Sequence, residues 1–115
     1  MYKAMNLAVL ALITTGCGQQ DNRICETPAT EPRRASQCVH REAYLMADAE
    51  GSIADIAKAA AHKCNSYVLN DSEVWAGKMN KEYDKVLEFY EKQTLNNAFQ
   101  RVTESRSGNC NKPEN

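Results

Sequence analysis

The chain has little that would interrupt a helix and nothing that reads as an active site. Its 115 residues include three prolines and five glycines, so there is no low-complexity tract, and no internal repeat is present. Alternating strand-like runs are absent after residue 35. Helix formers dominate instead, which predicts an all-α fold. The net charge of −1 and the lack of a basic stripe exclude a nucleic-acid footprint; the doublet Arg33-Arg34 and the pair Lys78/Lys81 read as solvated surface. No serine sits in a nucleophile elbow, no glycine-rich loop could cradle phosphate, and there is no His-Glu helix pair and no Cys-x-x-Cys. A non-enzymatic protein without a cofactor is therefore expected. Carboxylates are scattered among lysines, as in Glu82/Lys85 and Glu88/Lys92, in the manner of solvated helix pairs.

What the chain does have is five cysteines: Cys17, Cys25, Cys38, Cys64 and Cys110. The first follows Lys3, an apolar stretch from Ala4 to Ile13 broken only by Asn6, and then Thr14-Thr15-Gly16. That stretch is far short of the roughly 20 residues a membrane-spanning helix needs, and the order fits a secretory signal. It resembles the lipobox of bacterial lipoproteins, which implies cleavage before Cys17 and a diacylglycerol on its thiol, with an added N-acyl chain such as palmitate. A general signal peptidase accepting Thr14 and Gly16 would cut the same bond without lipidation. Cysteine parity favours lipid, because an odd thiol is a liability in an oxidising compartment. Lipid on Cys17 leaves four cysteines for two disulfides. Gly18 stands where Asp would mark inner-membrane retention, so the resemblance implies the outer membrane, facing the periplasm.

After this anchor, residues 17–34 read as a tether. The polar run Gln19-Gln20-Asp21-Asn22 and the prolines Pro28 and Pro32 prevent a continuous helix, and Cys25 pins its middle to the domain. Removing Lys3 with the signal leaves 13 basic and 15 acidic side chains, a net charge of −2.

The spacing predicts a helix over 36–50 capped by Ser36, then a break at Gly51-Ser52. A second helix, capped by Ser52 with Asp55 three residues on, is expected to run to about Val68. Cys38 lies 13 residues before Gly51 and Cys64 lies 13 after it. In an antiparallel hairpin bent at Gly51 the two meet about 20 Å from the bend. Of the three pairings open to four cysteines, Cys38–Cys64 with Cys25–Cys110 is thus expected. His40 and His62 show the same symmetry about Gly51. At about 100° per residue each turns away from its neighbouring cysteine, so both are expected in solvent rather than on a metal. Glu42 falls within the apolar stripe of its helix and is expected at its edge, paired with a base.

A third helix is expected from a cap at Asp71-Ser72 to about Arg106, with Trp75, Met79, Tyr83, Val86, Leu87 and Tyr90 covering the hairpin. Leu95, Phe99 and Val102 then form a second stripe. Either the helix bends near Gln93-Thr94 and buries them in the same core, which is the favoured expectation, or its end projects and they meet a partner or a second copy.

The pattern Cys38-Val39, Ala59-Ala60-Ala61, Cys64 is similar to a cysteine-bracketed helical hairpin of small, uncharacterised exported bacterial and phage-encoded proteins. The resemblance implies no activity. The chain thus divides into a signal peptide (1–16), a lipid-anchored tether (17–34), a three-helix periplasmic domain with two disulfides (35–110) and a tail (111–115). The leading expectation is an outer-membrane lipoprotein that binds another envelope protein. The alternatives are an exclusion, immunity or lysis lipoprotein of a phage or mobile element, and a self-associating structural envelope protein.

Overall fold

A computed structural model describes residues 25–108 and 110–113. The expected signal peptide, the expected lipidation site Cys17 and the first part of the expected tether lie outside the described residues, as do the last two residues of the tail. Among the described residues the fold is all-α, with four helices rather than three: α1 (Ala35–Met46), α2 (Ile53–Lys63), α3 (Asn65–Met79) and α4 (Tyr83–Ser107). None is long and apolar enough to cross a membrane.

Helix α1 starts one residue earlier than expected, and Ser36 is not its cap. Arg34 occupies the cap position without a side-chain bond. The first amide, from Ala35, donates instead to Asp71 Oδ2 of α3 at 2.8 Å. A carboxylate 36 positions away thus does what a local Ser or Asp usually does. The other end of α1 has no basic residue of its own. Arg106 of α4 supplies the cation, donating to the carbonyls of Ala47 (2.6 Å), Ala49 (2.9 Å) and Gly51 (3.1 Å). Gly51 has φ +131°, a backbone conformation that a Cβ would strain.

Helix α2 begins as its sequence predicts: Ser52 Oγ accepts the Asp55 amide at 3.1 Å. It stops at Lys63, short of Val68, because Cys64 leaves helical geometry at ψ +11° before α3 restarts. No Gly or Pro stands there. The kink falls on the residue that is bonded to Cys38 across the core, with the two Cα atoms 5.8 Å apart.

The long third helix is likewise divided, but not at Gln93-Thr94. Asn80 adopts the left-handed conformation (φ 53°, ψ 47°), its amide reaching Gly77 O, while the Lys81 amide reaches Ala76 O at 3.1 Å. These two bonds form a Schellman closure, with Asn taking the place usually held by Gly. Asp71 and Ser72, expected to begin a helix, lie inside α3. Ser72 is fully buried and donates to the Val68 carbonyl at 2.6 Å. Helix α4 then runs unbroken for 25 residues, about 37 Å at 1.5 Å per residue. It ends at Gly108, where a Cβ would come within 2.9 Å of Glu104 O and 3.3 Å of Cys25 Sγ.

The core is built from small residues. Cys38, Val39 and Ala43 of α1 meet Ile56, Ala57 and Ala60 of α2, Cys64, and Ala98 and Val102 of α4. Met46, Ile53, Ala61 and Tyr67 pack around them. Alanines at these positions let the helix axes approach closely, and the Cys38–Cys64 bridge lies inside that contact. All of it lies where α1, α2 and the second half of α4 overlap. Helix α1, about 18 Å long, does not extend beside the rest of α4.

Candidate interaction surface

Two features stand out from this frame. The first is a polar cluster between the N-terminal segment, α1 and α4. Arg101 donates to Glu104 Oε1 at 3.0 Å and to Glu26 Oε2 at 3.2 Å. The Tyr44 hydroxyl donates to the same Glu104 carboxylate. His40 Nε2 lies 3.2 Å from the Glu26 carbonyl, which can only accept, so that nitrogen carries the proton. The His40 and Tyr44 rings meet edge to face, with centroids 4.7 Å apart.

The electrostatics follow from this arrangement. Burial lowers the His40 pKa, and the Arg101 charge lowers it further against the pull of the Glu26 carbonyl. Burial pushes Tyr44 up to about 12, helped by its bond to Glu104. Burial alone would raise Glu104, but the bonds from Tyr44 and Arg101 outweigh it and hold its carboxyl below the usual value. Arg101 is held more firmly protonated, because its two carboxylate partners outweigh its burial. Every side chain in the cluster has a partner, so the cluster clamps the N-terminal segment, α1 and α4 together. An open cleft of about 780 Å³ runs beside it, lined in part by Glu26, Arg101, Glu104 and Phe99.

The clamp also corrects two expectations. His40 is buried, not solvated, because residues 25–34 cover a second face of α1, with Pro28 buried and the Glu26 carbonyl at the Nε2 edge of the ring. That part of the tether is therefore docked onto the helices, held by the clamp and by Cys25, whose Cα lies 5.4 Å from that of Cys110 in the second disulfide. His62 is exposed, and the structure does not bring the two histidines together. Glu42 pairs with Lys63 at 3.7 Å.

The second feature is the arm formed by α3 and the first half of α4. Its inner seam is thin: Val68, Ser72 and Ala76 face Val86 and Thr94, and little else there is buried. Of the side chains expected to cover the hairpin, Val86 is buried and Leu87 and Tyr90 are half-buried, but Trp75, Met79 and Tyr83 are open; with Val74 and Phe89 they are 38–61 % exposed. A groove of about 430 Å³ continues from the start of α1 between the two helices, lined by Val74, Trp75 and Tyr90 and edged by Arg33, Arg34 and Lys78. Lys78 Nζ stands 5.5 Å from the Trp75 ring centroid, and Phe89 meets Tyr90 edge to face at 5.8 Å.

The stripe Leu95, Phe99, Val102 does not act as a unit. Val102 is fully buried, whereas Leu95 is 38 % and Phe99 47 % exposed, so the favoured burial of all three fails. The buried line of α4 steps by fours and eights through Val86, Thr94, Ala98 and Val102. Leu95 and Phe99 lie one residue off it, about 100° around the helix. Sequence reasoning missed the arm itself. The available clue was Asn80, which ends α3 and turns one long amphipathic run into two helices joined only at their seam.

No family model matches the chain, and no curated protein or solved structure is significantly similar to it.

Proposed function

We propose that this protein is a lipid-anchored envelope protein, attached through Cys17 and facing the periplasm of an outer membrane, whose helical domain acts by binding protein rather than by catalysis. The observation that carries the reading is the α3–α4 arm, which offers Val74, Trp75, Met79, Tyr83 and Phe89 to solvent beside a seam of small and polar residues. Large apolar side chains left open to solvent in this number on one pair of helices mark a contact surface. Two disulfides suit an oxidising compartment and stiffen the base from which the arm extends. The polar clamp supports a non-catalytic role, since its groups satisfy one another.

The anchor is tested by metabolic labelling with a fatty-acid analogue: label is expected in the wild-type chain and absent in Cys17→Ser. Equal label in both removes the lipoprotein reading. The binding role is tested with a photo-crosslinking residue at position 75 in intact cells. A discrete higher-mass product is expected there, and its absence removes the role assigned to the arm.

A further inference from the structure

We infer that the occupant of the arm is the arm of a second copy of this chain, so that two α3–α4 pairs close into a four-helix bundle. This inference rests on the reading of the arm as a binding surface.

Three observations select this partner. The first is geometry. Helix α1 supplies a third helix to one half of α4 and leaves the other half with α3 alone, the groove beginning where α1 begins. Two helices in contact along one seam bury only one stripe each. A second identical pair, related by a two-fold axis, covers the remaining face of both copies at once, because an isologous contact uses the same patch twice.

The second is area. With aromatic side chains offering about 150–250 Å² each, the exposures of Val74, Trp75, Met79, Tyr83 and Phe89 leave roughly 450 Å² of large apolar surface open. That is more than half of the ~800 Å² each partner contributes to a standard interface. The polar rim of the same helices can supply the remainder.

The third is charge. The arm's outer residues carry both signs in near balance: Glu73, Glu82, Asp84, Glu88 and Glu91 against Lys78, Lys81, Lys85 and Lys92. Glu82 and Lys85 lie 3.8 Å apart and Glu88 and Lys92 3.2 Å apart, on the surface of the arm. A single-sign partner, such as an anionic lipid surface, gains nothing from such a rim. A copy of the same rim presents both signs to both signs, and its register is set by which charges meet.

The experiment uses the full-length chain in intact cells, expressed as two differently tagged copies, with the photo-crosslinking residue at position 75 or, for comparison, at position 99. The expected product at position 75 contains both tags and has twice the mass of the chain, with no such product from position 99. Phe89→Glu and Met79→Glu, both at open positions, are expected to abolish the two-tag product and the co-purification of the tags. The disulfides and the amount of protein should not change. Persistence of the two-tag product in both variants overturns the inference, as does a two-tag product from position 99 alone. A product at position 75 with a different protein also overturns it, yet leaves the arm as a binding surface. Loss of fatty-acid label bears only on the anchor, so the two readings fail separately.

Discussion

The base of the molecule and its arm are built from the same helix-forming alphabet and end up with opposite characters. At the base, α1, α2 and the second half of α4 enclose alanines at zero exposure around a disulfide. Each loose end there is tied: α1 by Asp71 and Arg106, the N-terminal segment by His40 and Arg101, the C-terminus by Cys110 and by Lys112, whose Nζ lies 2.7 Å from Asp48. The arm has two helices, one seam and larger apolar side chains, most of them in water. Large residues do not by themselves make a core. Small ones do when a third helix is present to enclose them, and the staple decides where that third helix stays.

If this contrast is right, removing the inner staple should be the most damaging single event. Closing a 26-residue separation stabilises by roughly 3–4 kcal/mol under the chain-entropy view. Cys38→Ala with Cys64→Ala also opens space in a contact made of alanines, so the total should be at least that. Thermal unfolding of the double variant is expected to shift down far more than that of any single change in the arm. A shift no larger than that of an exposed arm substitution would erase the distinction between the two regions.

Next in size is the clamp. Glu104→Gln keeps an acceptor for Tyr44 but removes the charge that Arg101 faces, and should cost about 1–2 kcal/mol, limited by its partial exposure. The same cluster sets a pH dependence. His40 titrates lower in the fold than its ordinary 6.5, so the unfolded chain binds its proton first, and this stability is lost as pH falls from there. Glu104, also lowered, adds a loss as pH falls below its ordinary 4.5. Tyr44, raised from 10.0 to about 12, favours the fold below pH 10, and that stability is lost as pH rises between those values. Stability should therefore fall on the acid side in two stages, and the second stage should be absent in Glu104→Gln. Chemical denaturation across pH checks both statements.

How much of this was legible in the sequence varies with the range of the interaction that decides it. Ser52 and Asp55 are three residues apart, and the cap they predict forms. Cys38 and Cys64 have equal spacing about Gly51, and that symmetry places them at bonding distance. The kink at Cys64 has no local marker, since a helix-forming run crosses it without Gly or Pro. Asp71 reads locally as the start of a helix, but the helix it starts is α1, brought beside it by the fold. His40 was misjudged because a wheel argument allows one buried face, whereas the segment around Pro28 covers a second. Asn80 could have been recognised: Asn is the residue that best replaces Gly in a left-handed closure, and Lys81 beyond it offers the closing amide. The two-sided character of α4, buried at Val102 and open at Phe99, was not legible, because it depends on which line of α4 faces α1 and α2, and that line, through Ala98 and Val102, passes about 100° from Phe99.

The Asp71 cap offers a finer test of the same point. Asp71→Ala should cost about 1 kcal/mol, as losing a cap does elsewhere, although no residue near it in sequence needs it. Ser36→Ala should change little. The reverse order would return the start of α1 to local control and weaken the tie between base and arm.

The smallest expected effect lies within the arm and has the opposite sign. Gly77 sits inside α3, and a Cβ placed there would meet nothing within 4 Å. Its φ is ordinary helix, so alanine fits without strain, while the unfolded chain loses freedom it no longer has to give up. Gly77→Ala should stabilise by roughly 0.5–1 kcal/mol. Where that gain appears is the informative part. If base and arm unfold as one cooperative unit, the gain moves the whole thermal transition. If the thinly seamed arm opens on its own, amide exchange in α3 and the first half of α4 slows while the amides around Ala57 and Ala98 keep their rates. The contrast drawn from burial favours the second result, and uniform slowing throughout the domain would show that the arm is as firmly held as the stapled base.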